Sequence, residues 1–213
     1  MMNKLTAVSL FTGAGGMDIG FERAGIEVVF ANELMSEAAA TYRANHTAGV
    51  MVNDDVNNIL DSLDQFQGVD FVFGGPPCQG FSVAGKMDPD DNRSKLIFTF
   101  LDVVEKVRPR AFVMENVKAL GMLEKWEPVR KRYLERAYAL GYNCVPFVLN
   151  ATEYGVSQKR ERVFFIGVRN NSDPFFEHCM NDLLLQQKNK APIVRTLLQP
   201  LGRAGTVTNP DTC

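Results

Sequence analysis

The chain alternates short apolar runs, rich in β-branched and aromatic residues, with segments of helical spacing, and this alternation restricts the possible folds more than any other feature. The runs cover residues 5–11, 26–31, 69–73, 111–114, 144–149 and 163–168, with a weaker one at 50–52. Each is bounded by turn residues and reads as a short strand buried on both faces. Between them, residues 17–24, 36–45, 94–107 and 127–140 place apolar side chains at helical intervals. Strands that alternate with helices predict a mostly parallel sheet covered on both faces, an α/β doubly wound domain. The last two strands are joined by a segment with no helical pattern, so they are expected to pair antiparallel and to give the sheet an antiparallel edge strand. After Arg169 the pattern decays. Residues 170–174 form a turn cluster, 175–187 fit one helix, and the tail is rich in Gly, Pro, Thr and Asn. Residues 1–190 are accordingly expected to form one domain and 191–213 a linker.

A length of 213 residues, 46% of them hydrophobic and 23% charged, suits a single globular core. No apolar run approaches the roughly 20 residues that span a bilayer, and the opening Met-Met-Asn-Lys-Leu lacks the apolar stretch of a secretory signal. The expectation is a cytoplasmic protein that does not engage membranes. Cys78, Cys144, Cys179 and Cys213 form no C-x-x-C pair, so neither a disulfide framework nor a metal site is indicated. A formal charge of −2 offers no global sign of a polyanion partner. Basic residues do cluster locally. Lys106, Arg108 and Arg110, and then Arg130, Lys131 and Arg132, read as solvated helix faces or strand starts, whereas Lys159, Arg160 and Arg162 lie inside a motif.

The first strand runs into Phe11-Thr12-Gly13-Ala14-Gly15-Gly16-Met17-Asp18. Small residues there let the backbone turn sharply and approach a nucleotide-like ligand before a helix begins, although plain strand-to-helix packing uses similar turns. No Gly-Lys-Ser or Gly-Lys-Thr follows, so this is not a phosphate-binding P-loop. Glu33 ends the second strand where a carboxylate would reach ribose hydroxyls, or would simply stand at a helix N-terminus. Asp54 and Asp55 follow the third strand, where one could accept the exocyclic amine of an adenine, or cap a helix.

Gly74-Gly75-Pro76-Pro77-Cys78-Gln79-Gly80-Phe81-Ser82 follows the buried run 69–73. Two prolines stiffen a loop that carries a lone cysteine at the carboxyl end of the sheet, a position that favours a reactive thiol over an inert one. A free thiol of pKa ~8.5 is mostly protonated at neutral pH, so a nucleophilic role requires a nearby proton acceptor or a positive field. Glu115-Asn116-Val117 closes the run 111–114 and would set a carboxyl group beside Cys78 if the two strands are neighbours. Gln158-Lys159-Arg160-Glu161-Arg162 precedes the last strand, with arginines suited to clamp a phosphate or a base carbonyl, or to pair with Glu161.

In this order, Phe-Thr-Gly-Ala-Gly-Gly, Glu33, Asp55, Pro-Pro-Cys-Gln, Glu-Asn-Val and Gln-x-Arg-x-Arg resemble the DNA cytosine-5 methyltransferase family, bacterial restriction-modification type, over residues 5–168. The resemblance implies a Rossmann-like catalytic domain that binds S-adenosyl-L-methionine, methylates carbon 5 of a flipped-out cytosine in double-stranded DNA and releases S-adenosyl-L-homocysteine. It implies cofactor contacts from Phe11, Gly13, Ala14, Gly15, Gly16, Glu33, Leu34, Asp55, Val56 and Pro76. It likewise implies a catalytic set of Cys78 as nucleophile, Glu115 at the cytosine N3 edge, and Arg160 and Arg162 steadying the target base. Leu34 stands where many relatives place an aromatic residue.

Full-length members continue into a target-recognition domain and a final motif that completes the cofactor pocket, and neither is found before Cys213, so a partial chain is expected. Residues 193–198 resemble the stretch that precedes that domain. A cognate restriction endonuclease would be a partner in the same system. The alternatives are a non-catalytic S-adenosylmethionine-binding fragment that pairs with another chain, a nicotinamide dehydrogenase suggested only by the glycine-rich turn, and a family member acting on transfer RNA.

Overall fold

A computed structural model of the chain describes residues 4–46, 49–77, 95–170 and 175–201. The strands are β1 (Thr6–Leu10), β2 (Glu27–Glu33), β3 (Val50–Asn53), β4 (Phe71–Gly74), β5 (Ala111–Val117), β6 (Tyr142–Asn150) and β7 (Glu161–Arg169). The helices are α1 (Gly16–Arg23), α2 (Ser36–Asn45), α3 (Val56–Ile59), α4 (Leu96–Val107), α5 (Lys118–Met122), α6 (Glu127–Ala139), α7 (Phe176–Gln186) and α8 (Val194–Leu198). Every apolar run of the sequence is thus a strand. The segments 36–45 and 127–140 are helices within one residue of the expected bounds. α3 was not legible because its four residues are too few to show a period. α8 lies in the segment read as a linker.

The strands form one sheet in the order β3-β2-β1-β4-β5-β7-β6. The pairs β1·β2, β1·β4, β2·β3 and β4·β5 are parallel. At the other end, Arg169 N donates to Arg110 O and Asn170 N to Gly141 O, both at 2.9 Å. The finish of β7 therefore lies against the starts of β5 and β6, which makes β7 antiparallel to both. The antiparallel strand sits one place in from the edge, and β6 takes the edge itself. The order reverses between β1 and β4, and in such sheets ligands bind outside the carboxyl ends at the reversal point.

Period-two alternation explains why both faces are covered. Val8 and Leu10 of β1 point into a core shared with Phe100 and Val104 of α4, Phe112 and Met114 of β5, and Tyr133 of α6. Ala7 points to the opposite face, where Ile26, Val28, Tyr42 and Phe73 pack with Met17 and Phe21 of α1. The Phe21 ring stacks on Phe73 with centroids 3.8 Å apart, which fastens α1 to β4. Each such buried aromatic contributes about 2–3 kcal/mol of transfer free energy. Close strand approach depends on missing side chains. A Cβ on Gly74 would lie 2.2 Å from Leu10 O, and one on Gly167 would lie 2.2 Å from Phe112 Cε1.

The chain divides into two compact units. One holds the residues up to Val148 together with Val163–Asp173; the other holds Leu149–Arg162 and the chain from Pro174 onward. Inside the second unit, Lys188 Nζ pairs with Glu153 Oε2 at 2.6 Å, and Asn189 N donates to Glu153 O at 2.7 Å, tying the segment after α7 to the turn after β6. The first two basic clusters are engaged locally. Lys106 lies 3.2 and 3.3 Å from Asp61 and Asp64, Arg110 lies 3.1 Å from Asp70, and Arg132 covers the Phe98 ring. No helix among the described residues is long and apolar enough to cross a membrane.

One polar pair is buried on the α1/α2 face. Tyr42 Oη donates to Asp18 Oδ1 at 3.0 Å, and both side chains are almost wholly removed from solvent. Burial raises the Asp18 carboxyl above its ordinary range, partly offset by the hydrogen bond from Tyr42, and it pushes the Tyr42 phenol well up. Between the unfolded value near 3.9 and the raised folded value, the folded chain holds more protons than the unfolded one, so this group makes stability fall as pH rises. Asp18→Asn should remove that component. Urea unfolding of both proteins from pH 4 to 7 is expected to give a more positive stability-against-pH slope for the variant, and identical slopes would contradict the assignment.

Candidate active site

The carboxyl ends of β1, β2, β4 and β5 line up because the parallel register pairs Leu10 with Asn32 and Gly74, and Gly74 with Met114. The residues that follow these positions form the candidate site. After β1 the chain turns through Phe11 (φ 53°), Gly13 (φ 56°) and Gly15 (φ 89°) into α1. The turn is closed by Gly15 N donating to Thr12 O at 3.0 Å and is joined to β2 by Thr12 N donating to Asn32 O at 3.1 Å. A Cβ on Gly13 or Gly16 would meet nothing within 4 Å, so the outer side of the turn faces open space. Ala14 is exposed at its tip.

Glu33 fastens this turn from the next strand. Its Oε2 accepts from Gly13 N at 2.8 Å and its Oε1 from Met35 N at 2.9 Å. Each carboxylate oxygen has capacity for a second donor. Leu34 and Met35 beside it are 64% and 62% exposed, unusual for large apolar side chains standing together at a sheet edge. Two asparagines that the sequence reading passed over brace the same corner. Asn32 Nδ2 donates to Val52 O and Asp54 O, at 3.2 and 2.9 Å, and Asn53 Nδ2 to Glu33 O and Leu34 O, at 2.9 and 2.8 Å. Neither carries a sequence signal, since a strand-end Asn becomes a brace only once its neighbouring strand is known.

Asp55 is the N-cap of α3, its Oδ1 accepting from Asn57 N at 2.8 Å, so the capping role foreseen for this position is realised. Val56 is the first residue of α3. Its side chain is 3% exposed and packs in the core, so any contact with a ligand would come from its backbone.

β4 and β5 are neighbours, the condition on which the juxtaposition of the Pro-Pro-Cys loop with Glu115 depended. A Cβ on Gly75 would lie 3.3 Å from Glu115 Oε2, which sets the half-buried Glu115 carboxyl directly beside the loop. Asn116, 1% exposed, donates from Nδ2 to the carbonyl of the buried Pro76 at 3.1 Å, while its Oδ1 accepts from Val117 N at 2.9 Å. Asn116 therefore joins the end of β5 to the loop one residue before Pro77. Cys78 itself lies outside the described residues. Cys144 is half-buried by area, and burial of its thiol pushes it far above the ordinary cysteine range, which disfavours a thiolate there. Arg160 and Arg162 belong to the second unit. Arg160 O accepts from Ala151 N at 2.9 Å, and Arg162 Nη1 donates to Glu161 O at 2.8 Å.

The sequence model of the C-5 cytosine-specific DNA methylase family matches residues 5–209. The chain belongs to that family. Among curated relatives, it is 40% identical over 163 residues to the Type II methyltransferase M.FnuDI of Fusobacterium nucleatum, covering 76% of this chain and 46% of the relative. It is also 40% identical over 180 residues to the Type II methyltransferase M.AquIA of a Picosynechococcus species, covering 76% of this chain and 71% of the relative. The Dnmt2 methyltransferase of S. pombe shares the methylase fold with a TM-score of 0.68 at 20% identity, over 91% of this chain and 59% of that one. The chain spans about half the length of the first curated relatives it matches.

The Asn116 contact in this methylase domain is testable through stability. Asn116→Ala leaves the Pro76 carbonyl and the Val117 amide without their partner in a buried corner, a loss of about 1–3 kcal/mol. Urea unfolding should show that decrease, and a change below about 0.5 kcal/mol would mean that the loop is held by something else.

Proposed function

We propose that this chain is the cofactor-binding and catalytic portion of a DNA cytosine-5 methyltransferase of the restriction-modification type. The observation that carries the reading is the closure of the Gly75-Pro76 loop onto Glu115 and Asn116, at the same strand ends as the glycine turn and Glu33. The match to the C-5 cytosine-specific DNA methylase family supports DNA as substrate, and a cognate restriction endonuclease is the partner that this reading implies.

The residues present fit S-adenosylmethionine. Glu33 keeps acceptor capacity for ribose hydroxyls, the exposed Leu34 and Met35 offer an apolar surface to an adenine, and the turn through Gly13 to Gly16 is open on its outer side. Asp55 and the Val56 backbone at the start of α3 would meet the adenine edge. When bound, the cofactor supplies an electrophilic methyl group.

Cytosine C5 is a poor nucleophile until the ring is activated. The Cys78 thiolate adds to C6, the C5–C6 π electrons move into the ring to give an enamine, and Glu115 donates a hydrogen bond or a proton at N3 to balance the charge. After methylation, loss of the C5 proton and expulsion of Cys78 restore aromaticity. Reaching the ring requires flipping the base out of the duplex at a cost of a few kcal/mol. Arg160 and Arg162 would contribute contacts to the flipped nucleotide.

With S-adenosylmethionine and duplex DNA containing 5-fluorocytosine, the missing C5 proton should trap a covalent protein–DNA complex that survives denaturation. Cys78→Ser should abolish the complex, and Glu115→Gln should slow its formation by about 10²- to 10⁴-fold. The measurement is made on the chain alone and on the chain joined to the remaining half of a relative. If neither forms the complex while calorimetry still shows cofactor binding, the non-catalytic fragment replaces the enzyme.

A further inference from the structure

The glycine turn rests on a side chain that no motif marks. His46, immediately after α2, is turned inward with its side chain 1% exposed. Its Nδ1 lies 3.2 Å from Glu22 Oε1 on α1, and its ring stacks on Tyr42 one helical turn back, with centroids 4.2 Å apart and planes 14° from parallel. Tyr42 in turn donates to the buried Asp18. Nδ1 is thus the ring nitrogen that faces a carboxylate, and Nε2 lies on the opposite edge of the ring. That Nε2 is buried with no hydrogen-bond partner, and it points at Gly15. A Cβ on Gly15 would lie 2.0 Å from Nε2 and 2.7 Å from its two neighbouring ring carbons.

An unpartnered imidazole nitrogen is a costly object in a protein interior. The Tyr42 ring and Glu22 fix the imidazole by its face and by Nδ1, leaving its Nε2 edge as a flat stop beneath the turn. Gly15 is also the residue at φ 89° that redirects the chain from β1 into α1. Glycine is thus required here twice, by backbone conformation and by the ring below it.

We propose that His46 is a positioning residue that acts through Gly15: its imidazole edge is the floor of the glycine turn, and the Asp18–Tyr42–His46–Glu22 cluster behind that turn sets the chain's affinity for S-adenosylmethionine. The inference rests on the cofactor reading given above. Glu33 of β2 holds the same turn through Gly13, so the turn is fixed from β2 as well as by the ring that follows α2.

The test is calorimetric titration of S-adenosylmethionine into the full chain and four variants, with thermal unfolding of each to establish that it is folded at the titration temperature. His46→Ala should weaken binding about tenfold, and Tyr42→Phe, which keeps the ring but releases Asp18, by about threefold. Gly15→Ala should weaken it more than about hundredfold, through strain at positive φ and collision with the ring. In the Gly15→Ala background, His46→Ala should instead strengthen binding by about tenfold, because the new methyl group then has room. Because each variant is shown to be folded at the titration temperature, that reversal of sign reports on the turn and not on loss of the fold. Additive losses in the double variant, or unchanged affinity in both His46→Ala and Tyr42→Phe, would overturn the positioning role while leaving the cofactor reading intact. Failure of the unaltered chain to bind would overturn both.

Discussion

The close approach of β4 to β1, where Gly74 passes so near Leu10 O that a side chain could not fit, sets the register on which the candidate site depends. It brings the start of the Gly75-Pro76-Pro77 loop level with the glycine turn after β1. The pairing of Gly74 with Met114 then brings Glu115 and Asn116 level with both. The sheet's hydrogen bonds thereby gather residues distant in sequence onto one edge before any side chain acts. The side chains lock what the register delivers: Glu33 onto Gly13, Asn53 onto the backbone of Glu33 and Leu34, and Asn116 onto Pro76.

The edge is stiff for a physical reason. Its braces at Asn32, Glu33 and Asn116 are buried above two apolar layers, one built on Phe100, Phe112 and Tyr133 and the other on Phe21, Tyr42 and Phe73, whereas Asn53 is exposed. In such surroundings a hydrogen bond that is lost leaves a buried donor or acceptor without water to replace its partner. The proposed catalysis, in which a carboxyl group and a thiol act on one ring, would benefit from such buried braces. Beside these braces, the apolar pair Leu34 and Met35 stands out by its exposure.

Much of this was legible in the sequence because its signals are local. The β-branched runs specify strands, the helical spacing of residues 36–45 specifies α2, and the glycine turn and the Pro-Pro-Cys loop are contiguous strings. What stayed hidden depends on partners far along the chain. Asn32, Asn53 and Asn116 look like ordinary polar residues until strand neighbours turn their amides into braces. His46 reads as the polar end of a helix, and only the packing of α2 on α1 turns it beneath Gly15. Val56 followed the family pattern, yet its side chain was taken by the core, since the first turn of α3 must bury something to stay folded. The insertion of β7 between β5 and β6 was likewise beyond periodicity, which reports that two strands pair but not which one a third strand chooses.

The proposed function turns on Cys78 as a reactive thiol, and selective alkylation tests it most directly. The folded chain would be treated briefly with iodoacetamide, and the modified cysteines mapped by peptide mass. The account predicts that Cys78 is modified in the folded protein and that Cys144, whose burial raises its thiol, is modified only after denaturant is added. A Cys78 that resists the reagent until the protein unfolds would contradict it.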